Sequence, residues 1–227
     1  MKVVITQSNY IPWKGYFNAI DTADAFVFLD NVQYTKRDWR NRNKIKTPNG
    51  TKWLSIPVQV SGKYSQLIKD TKIVDPKWVD NHLSLFRENY KSAPNFKNGY
   101  EFIESVYCSL DSINLSDINQ TIIRKIMAYF GINTPIYHAS DFQTSQNSSE
   151  RLLNICKALG ATDYYSGPAA KNYLNESIFE DNKVKVHYFE NHKYPKYDQL
   201  HGEFDHYLSI LDLIFNVKEN YKFYLKN

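Results

Sequence analysis

Several features that would settle a function at once are missing from this chain. Two cysteines in 227 residues, Cys108 and Cys156, stand far apart in helix-like stretches, which argues against a disulfide framework and for a reducing compartment. No run approaches the ~18 consecutive apolar residues of a membrane span. The amino-terminus lacks the layered pattern of a signal peptide, so a cytoplasmic location is expected. Gly-x-Gly-x-x-Gly does not follow the first strand-like run, which argues against a dinucleotide cofactor. Neither a P-loop nor a Gly-x-Ser-x-Gly elbow occurs. Histidines do not pair with cysteines or acids at zinc spacings, and His187–His192 and His201–His206 fall off the helical i, i+4 step. No metal or cofactor is therefore expected. Repeats, low-complexity tracts and linkers are absent too, so one domain over residues 1–227 is expected.

What is present is ordinary in bulk and uneven in detail. Hydrophobic residues make up 42% and charged residues 23%, the proportions of a globular protein. A net charge of +4 permits an anionic ligand without arguing for nucleic acid. Aromatics reach 15%, chiefly through 18 tyrosines. Tyrosine suits the walls of sugar or nucleotide sites, although the count also fits half-buried packing.

The first thirty residues organise the rest. Lys2-Val3-Val4-Ile5-Thr6 reads as a buried strand, Lys14 to Ala23 as a short helix, and Ala25 to Leu29 as a second buried strand ending at Asp30. Such a unit should close right-handed with parallel strands. Gln7, Asn9 and Asp30 then sit at the carboxyl ends of neighbouring strands, where open α/β sheets bind ligands. Tyr10 and Trp13 would rim that place.

A basic ribbon follows. Asn-Gly at 49–50, between Arg42–Thr47 and Lys52–Val58, signals a hairpin. Alternation puts Arg42, Lys44 and Lys46 on one face and Asn43, Ile45 and Thr47 on the other. Arginines at 37, 40 and 42 would suit a diphosphate or carboxylate, whereas the lysines could equally protect an exposed strand edge. Beyond it, residues 58–71 read as a loop or weak second hairpin. Residues 75–130 read as mainly helical: a helix from Lys77 to about Tyr90 opened by Asp75-Pro76, another from Gly99 to about Leu110, and a third from Ser116 to Phe130. His82 is either a satisfied core histidine, which the sequence alone favours, or a base approaching the site. Cys108 reads as a small core residue.

Alternation of strand and helix then resumes. Thr134–His138 is a strand, Ser148-Ser149-Glu150 caps a helix, and Thr162–Ser166 is a strand whose end, Ser166-Gly167-Pro168, leaves backbone open to a ligand. Val184–Phe189 is another strand, and Leu208–Phe215 is a terminal helix holding Asp212, read as a structural acid paired with an arginine or a backbone amide. Between them lies a polar segment with His192, Tyr194, Tyr197, Gln199 and His201. The expected fold is α/β: an open, mostly parallel sheet built from two strand–helix–strand halves, with an inserted β-hairpin at 31–60 and a helical annex.

Three stretches carry a resemblance to a known family: Gln7-Ser8-Asn9-Tyr10-Ile11-Pro12-Trp13-Lys14-Gly15-Tyr16-Phe17, Phe28-Leu29-Asp30-Asn31-Val32-Gln33-Tyr34, and Arg40-Asn41-Arg42-Asn43-Lys44-Ile45. They resemble the WbqC-like family, and Trp78 with His82, Tyr164 to Gly167, and Leu208 to Asp212 fit it too. The family is found with O-antigen and other surface-polysaccharide genes. The resemblance implies an enzyme that moves a glycine-like aminoacyl group, or another small acyl group, onto a nucleotide-activated amino-sugar. A looser likeness to the nucleotidyltransferase-like superfamily lacks the His-x-Gly-His signature, so adenylylation is not expected.

The residues and the resemblance together nominate a site. His82, as proton acceptor, and Asp30 are the catalytic candidates. Arg37, Arg40 and Arg42 would hold the diphosphate. Tyr10, Trp13 and Tyr34 would pack on sugar or base, and Gln7, Asn9, Gln33, Asn41 and Asn43, with Ser166 and Gly167, would complete the contacts. The partners expected are a nucleotide sugar and an acyl or aminoacyl donor. Two rivals stand beside this reading: a non-enzymatic RNA-binding module using the basic ribbon with Tyr34 and Trp39, and a scaffold for polysaccharide enzymes.

Overall fold

The computed structural model describes residues 1–144, 147–189 and 194–226. The chain runs β1 (Lys2–Thr6), α1 (Lys14–Thr22), β2 (Ala25–Phe28), β3 (Arg42–Thr47), β4 (Gly50–Ser55), α2 (Trp78–Tyr90), α3 (Phe96–Cys108) and α4 (Leu115–Tyr129). It continues through β5 (Ile136–His138), α5 (Ser148–Ala158), β6 (Asp163–Ser166), α6 (Ser177–Asp181), β7 (Lys185–Tyr188), α7 (Ile210–Asn216) and α8 (Tyr221–Leu225). Five strands form a wholly parallel sheet in the order β5-β2-β1-β6-β7, and β3 with β4 form a separate antiparallel hairpin. The expected α/β class, with its inserted hairpin and helical region, is what the chain adopts.

Both faces of the sheet are covered, as parallel strands require. Period-two alternation sorts the central strands cleanly. Val4, Phe26 and Phe28 join the larger core with α1 to α4 and α7, while Val3, Ile5, Ala25 and Val27 join a second core with α5 and α6. The helix after β1 therefore packs on one face, and the helices around β6 pack on the other. Strand order reverses between β1 and β6, so the chain leaves those two carboxyl ends in opposite directions and a crevice opens between them.

The hairpin turn is Pro48–Asn49, with proline suited to its first position and Gly50 at φ 97, where a side chain would be strained. The hairpin is less solvated than its charges suggest. Lys46, expected on a cationic outer face, is 5% exposed and donates to Gln199 Oε1 and the Gly202 carbonyl, both at 3.1 Å, and to the Glu203 carbonyl. Residues 194–209 form a strap across that face. Lys14 fastens it too, donating to the Pro195 carbonyl at 2.9 Å beneath the rings of Tyr194, Tyr197 and Phe204. Burial lowers the Lys14 ammonium to about 8. His192 lies outside the described residues.

Three local expectations are corrected. Cys108 is exposed at the end of α3, because the helix's buried stripe is Ile103, Val106 and Tyr107. Asn147, rather than Ser148-Ser149-Glu150, caps α5 by accepting from the Ser149 and Glu150 amides. Among the described residues the Asp212 carboxylate meets neither an arginine nor a backbone amide: it is wholly buried and accepts from the hydroxyls of Tyr90 (2.9 Å) and Tyr197 (2.8 Å). Two short helices, α6 and α8, fall where the sequence pattern is silent.

Two predictions follow from these environments. Cys108 should react rapidly with a thiol reagent, whereas Cys156, buried with its thiol pushed up to about 12, should wait for unfolding. Two fast thiols per chain would contradict the packing of α5. Burial raises the Asp212 carboxyl to about 6, against the lowering pull of Tyr197, Tyr90 and Lys46. An unfolded aspartate titrates near ~3.9, so the folded state holds this proton more tightly between the two values, and that stabilisation is lost as pH rises through the upper one. The melting temperature of the parent relative to Asp212→Asn should therefore be higher near pH ~4.5 than near pH ~7.5. The reverse slope would show the carboxylate to be favoured by its site.

Candidate functional site

The site begins with the loop that leaves β1. Ser8 is buried and its amide donates to Asp30 Oδ1 at 2.8 Å, so the end of β2 anchors the end of β1. Asp30 is 5% exposed, and its other oxygen accepts from Ser116 Oγ and, at 2.9 Å, from Gln120 Nε2. Every oxygen of this carboxylate is thus engaged in holding α4 and the loop together. It also borders a small polar cavity, ≈ 120 Å³, with Lys69, Gln120 and His138.

The hairpin is fixed to the same loop by main-chain recognition. Asn43, buried on β3, donates to the carbonyls of Tyr10 (3.1 Å) and Ile11 (2.8 Å), while the Tyr10 amide donates to the Trp39 carbonyl at 2.9 Å. Ile11 sits at φ 35, a costly conformation for a β-branched residue, held by this network. Arg40 bonds Gln7 Oε1 through Nη1 and Asp38 through Nη2 at 3.0 Å. The Arg40 carbonyl accepts from Asn119 of α4 at 2.7 Å. Gln7, Asp30 and Arg40 are therefore tied into one rim at the carboxyl end of β1.

Two cavities open at this rim and share Asn9 and Trp13. The first, ≈ 210 Å³, is walled by Pro12, Trp13, Trp39, Asn43 and Tyr207 of the strap. The second, ≈ 190 Å³, lies in the crevice between β1 and β6, against Val4, Ile5, Tyr16, Tyr165, Ser166, Gly167 and Phe189. A more open hollow of ≈ 510 Å³ against edge strand β7, lined by Glu176, Glu180, Lys183 and Lys185, shares no lining residue with the sheet crevice and carries none of the converging amides. Cavity size is a poorer guide here than topology.

Unsatisfied polar atoms gather around the same rim. Asn9 Oδ1, Arg40 Nε, Asn41 Oδ1 and Arg42 Nε are buried without a hydrogen-bond partner among the described residues. Such groups are rare in folded proteins and call for an explanation, a ligand being one. The Arg42 guanidinium lies on the Trp53 ring at 4.2 Å, and Trp53 in turn meets Trp39 at 5.4 Å. Stacking pre-orients the cation, and no anionic partner meets it among the described residues.

The structure brings Asn9, Trp13, Asn43, Ser166 and Gly167 to the cavities, with Gln7, Arg40, Asn41 and Arg42 close along the chain or bonded to the rim. Asp30 supports the rim through Ser8 but lines a separate cavity, and Tyr10, His82, Tyr34, Gln33 and Arg37 are not brought to either space. Tyr10 is fully buried, and its hydroxyl bonds Tyr107 and His82 Nδ1, the latter at 2.7 Å. His82 is 4% exposed between Trp78 and Phe86, and burial lowers it to about 4, so it is neutral at physiological pH. Tyr34 is buried, with burial raising its hydroxyl to about 12. Gln33 is exposed and donates to the Tyr64 carbonyl, and Arg37 is exposed at φ 56. Sequence reasoning missed Trp39 and Tyr207 as walls of the first cavity and Tyr165 as a wall of the second. Trp39 had a signal in its place inside the basic ribbon; Tyr207 had none, since only the strap brings it there.

The family model described as the WbqC-like protein family matches residues 7–222. The chain belongs to the WbqC-like family. It is 41% identical over 225 residues to an uncharacterized protein of Mycobacterium tuberculosis, covering 99% of this chain and 97% of that relative. No solved structure matches it. No helix among the described residues is long and apolar enough to cross a membrane. Nor do the described residues contain a cluster of three or more His, Cys, Asp or Glu able to hold a metal.

Gly15 tests the site without touching a ligand. A Cβ at this position would fall inside the Trp13 indole, a rigid group that must then move. Gly15→Ala should lower the melting temperature modestly, because moving the packed indole costs more than the gain of up to about 1 kcal/mol that alanine brings over glycine in a helix. It should also displace the ring that both cavities share, seen as a shift in tryptophan fluorescence and a loss of ligand affinity. Unchanged fluorescence and affinity would remove Trp13 from the site.

Proposed function

We propose that this member of the WbqC-like family acts in polysaccharide-related biosynthesis, transferring a small acyl or aminoacyl group to the amine of a nucleotide-activated sugar. The observation that carries the reading is the pair of cavities meeting at Asn9 and Trp13, where strand order reverses. Rings at Trp13, Trp39 and Tyr207 suit the apolar faces of a pyranose, and the side-chain amide of Asn9 suits a hydroxyl or amine. Arg42, pre-oriented and without an anionic partner among the described residues, suits a diphosphate.

Other residues then take supporting roles. Arg40 positions Gln7 and its own loop, Asn43 holds the loop after β1, and Asp30 fixes Ser8. His82 belongs to the interior in this reading, where a neutral imidazole links Tyr10 to α2, so it is not the base.

The test is a thermal-shift and calorimetric screen against nucleotide sugars, because a ligand that binds only the folded form raises its melting temperature. A nucleotide amino-sugar should stabilise the parent. Arg42→Ala should lose about 1.5–3 kcal/mol of that binding, roughly ten- to hundred-fold in affinity. His82→Gln should cost stability more than turnover. Equal affinity in Arg42→Ala and the parent would remove the phosphate role. Steep salt dependence with RNA, and no response to any nucleotide sugar, would overturn the reading in favour of nucleic-acid binding.

A further inference from the structure

The two cavities differ in chemistry, and the difference bears on what each holds. The first combines three aromatic rings with two amides, and one of those rings, Trp39, meets the Trp53 on which Arg42 stacks. The second is lined by Val4, Ile5, Ala19, Trp13, Tyr165 and Phe189, with polarity from Thr6, Asn9, Tyr16 and Ser166 and no charged side chain among the described residues that line it. A polyhydroxylated, anionic ligand gains little in the second space, and an ammonium group there would find no counter-charge among the described lining residues to replace its lost hydration. An uncharged apolar group fits both the volume and the walls.

We infer that the crevice between β1 and β6 is a separate subsite for the uncharged acyl group of a second substrate, which meets the sugar amine at Asn9. The inference rests on the transferase reading above and narrows it, favouring a plain acyl group over a glycine-like one. Asn9 is the amide common to both spaces; its Oδ1 is buried without a hydrogen-bond partner among the described residues, and a half-turn of the amide exchanges it with Nδ2 and brings that acceptor to the spaces. By accepting one N–H of the amine, it aims the nitrogen lone pair across Trp13 at the acyl carbonyl. The nitrogen attacks that carbon, a new C–N bond forms as the bond from carbon to the acyl carrier breaks, and the proton lost by the amine departs with the carrier. Asn9 orients and exchanges no proton. Both substrates are held at once, so transfer needs no covalent enzyme intermediate.

Gly167 offers a way to close the second cavity alone. Its φ is −69, open to any residue, and nothing among the described residues lies within 4 Å of where a Cβ would stand. Gly167→Leu should therefore fold with an unchanged melting temperature while filling the acyl space. Binding is measured for propionyl-N-acetylcysteamine thioester, its glycyl counterpart and UDP-glucosamine on the parent, Gly167→Leu and Trp39→Ala. The propionyl thioester should bind the parent at least tenfold more tightly than the glycyl one. Gly167→Leu should weaken the propionyl probe tenfold or more and leave UDP-glucosamine within twofold, and Trp39→Ala should do the opposite. Glycyl binding as tight as propionyl, or equal loss of both ligands in either variant, overturns the separate acyl subsite. A parent that binds UDP-glucosamine but neither thioester overturns it too, while leaving the transferase reading in place. Binding of no nucleotide sugar at all brings down that reading and the inference with it.

Discussion

The structure depends on one small act of recognition: the Asn43 side chain gripping the main-chain carbonyls of Tyr10 and Ile11. A parallel sheet supplies a crevice wherever its strand order reverses, but a crevice alone is open to water and selects nothing. Asn43 brings the hairpin down onto the loop after β1, and the Tyr10–Trp39 main-chain bond completes the seam. That seam turns the mouth of the crevice into two walled spaces. It also explains the strained Ile11, whose conformation is the cost of directing two successive carbonyls at one amide.

Around the seam the chain uses buried charge as fastening. Lys14 and Lys46 both point inward to hold the strap, one through aromatic faces and a carbonyl, the other through a ring of carbonyls and Gln199. Asp212 stands behind them, bridged by two tyrosine hydroxyls. Such groups contribute little net stability when buried, because desolvation offsets their attraction, but they fix geometry in a way an apolar strap could slip past. The strap delivers Tyr207 to the first cavity, where its ring meets Trp13 at 5.4 Å. Tyrosine is abundant here partly because it can pack as an apolar ring and still satisfy a buried acid.

How much of this the sequence disclosed depends on the range of the interaction. The β1–α1–β2 unit was legible because three short runs of correct period sit next to one another, and their strand ends placed Gln7, Asn9 and Asp30 correctly. The hairpin was legible from Asn49-Gly50, and the family from the opening motif. Lys46 and Cys108 were misread for opposite reasons. A distant strap buries the first, while the second sits on the exposed side of a helix whose apolar stripe ends before it. Tyr207 and the partners of Asp212 depend on residues more than a hundred positions away or on a segment without periodicity, so no local pattern could reveal them. Tyr10 and His82 show the other difficulty, since motif residues can be specific to a family and yet serve its interior.

The central claim is that ligand enters where the hairpin, the loop after β1 and the end of β6 meet. Hydrogen exchange measured with and without a stabilising nucleotide sugar tests it most directly. Backbone amides at residues 7–11, 13, 39–43 and 165–167 should gain protection together, with little change along α3 or β7. Protection confined to the open hollow beside β7, or spread evenly over the chain, would contradict the account.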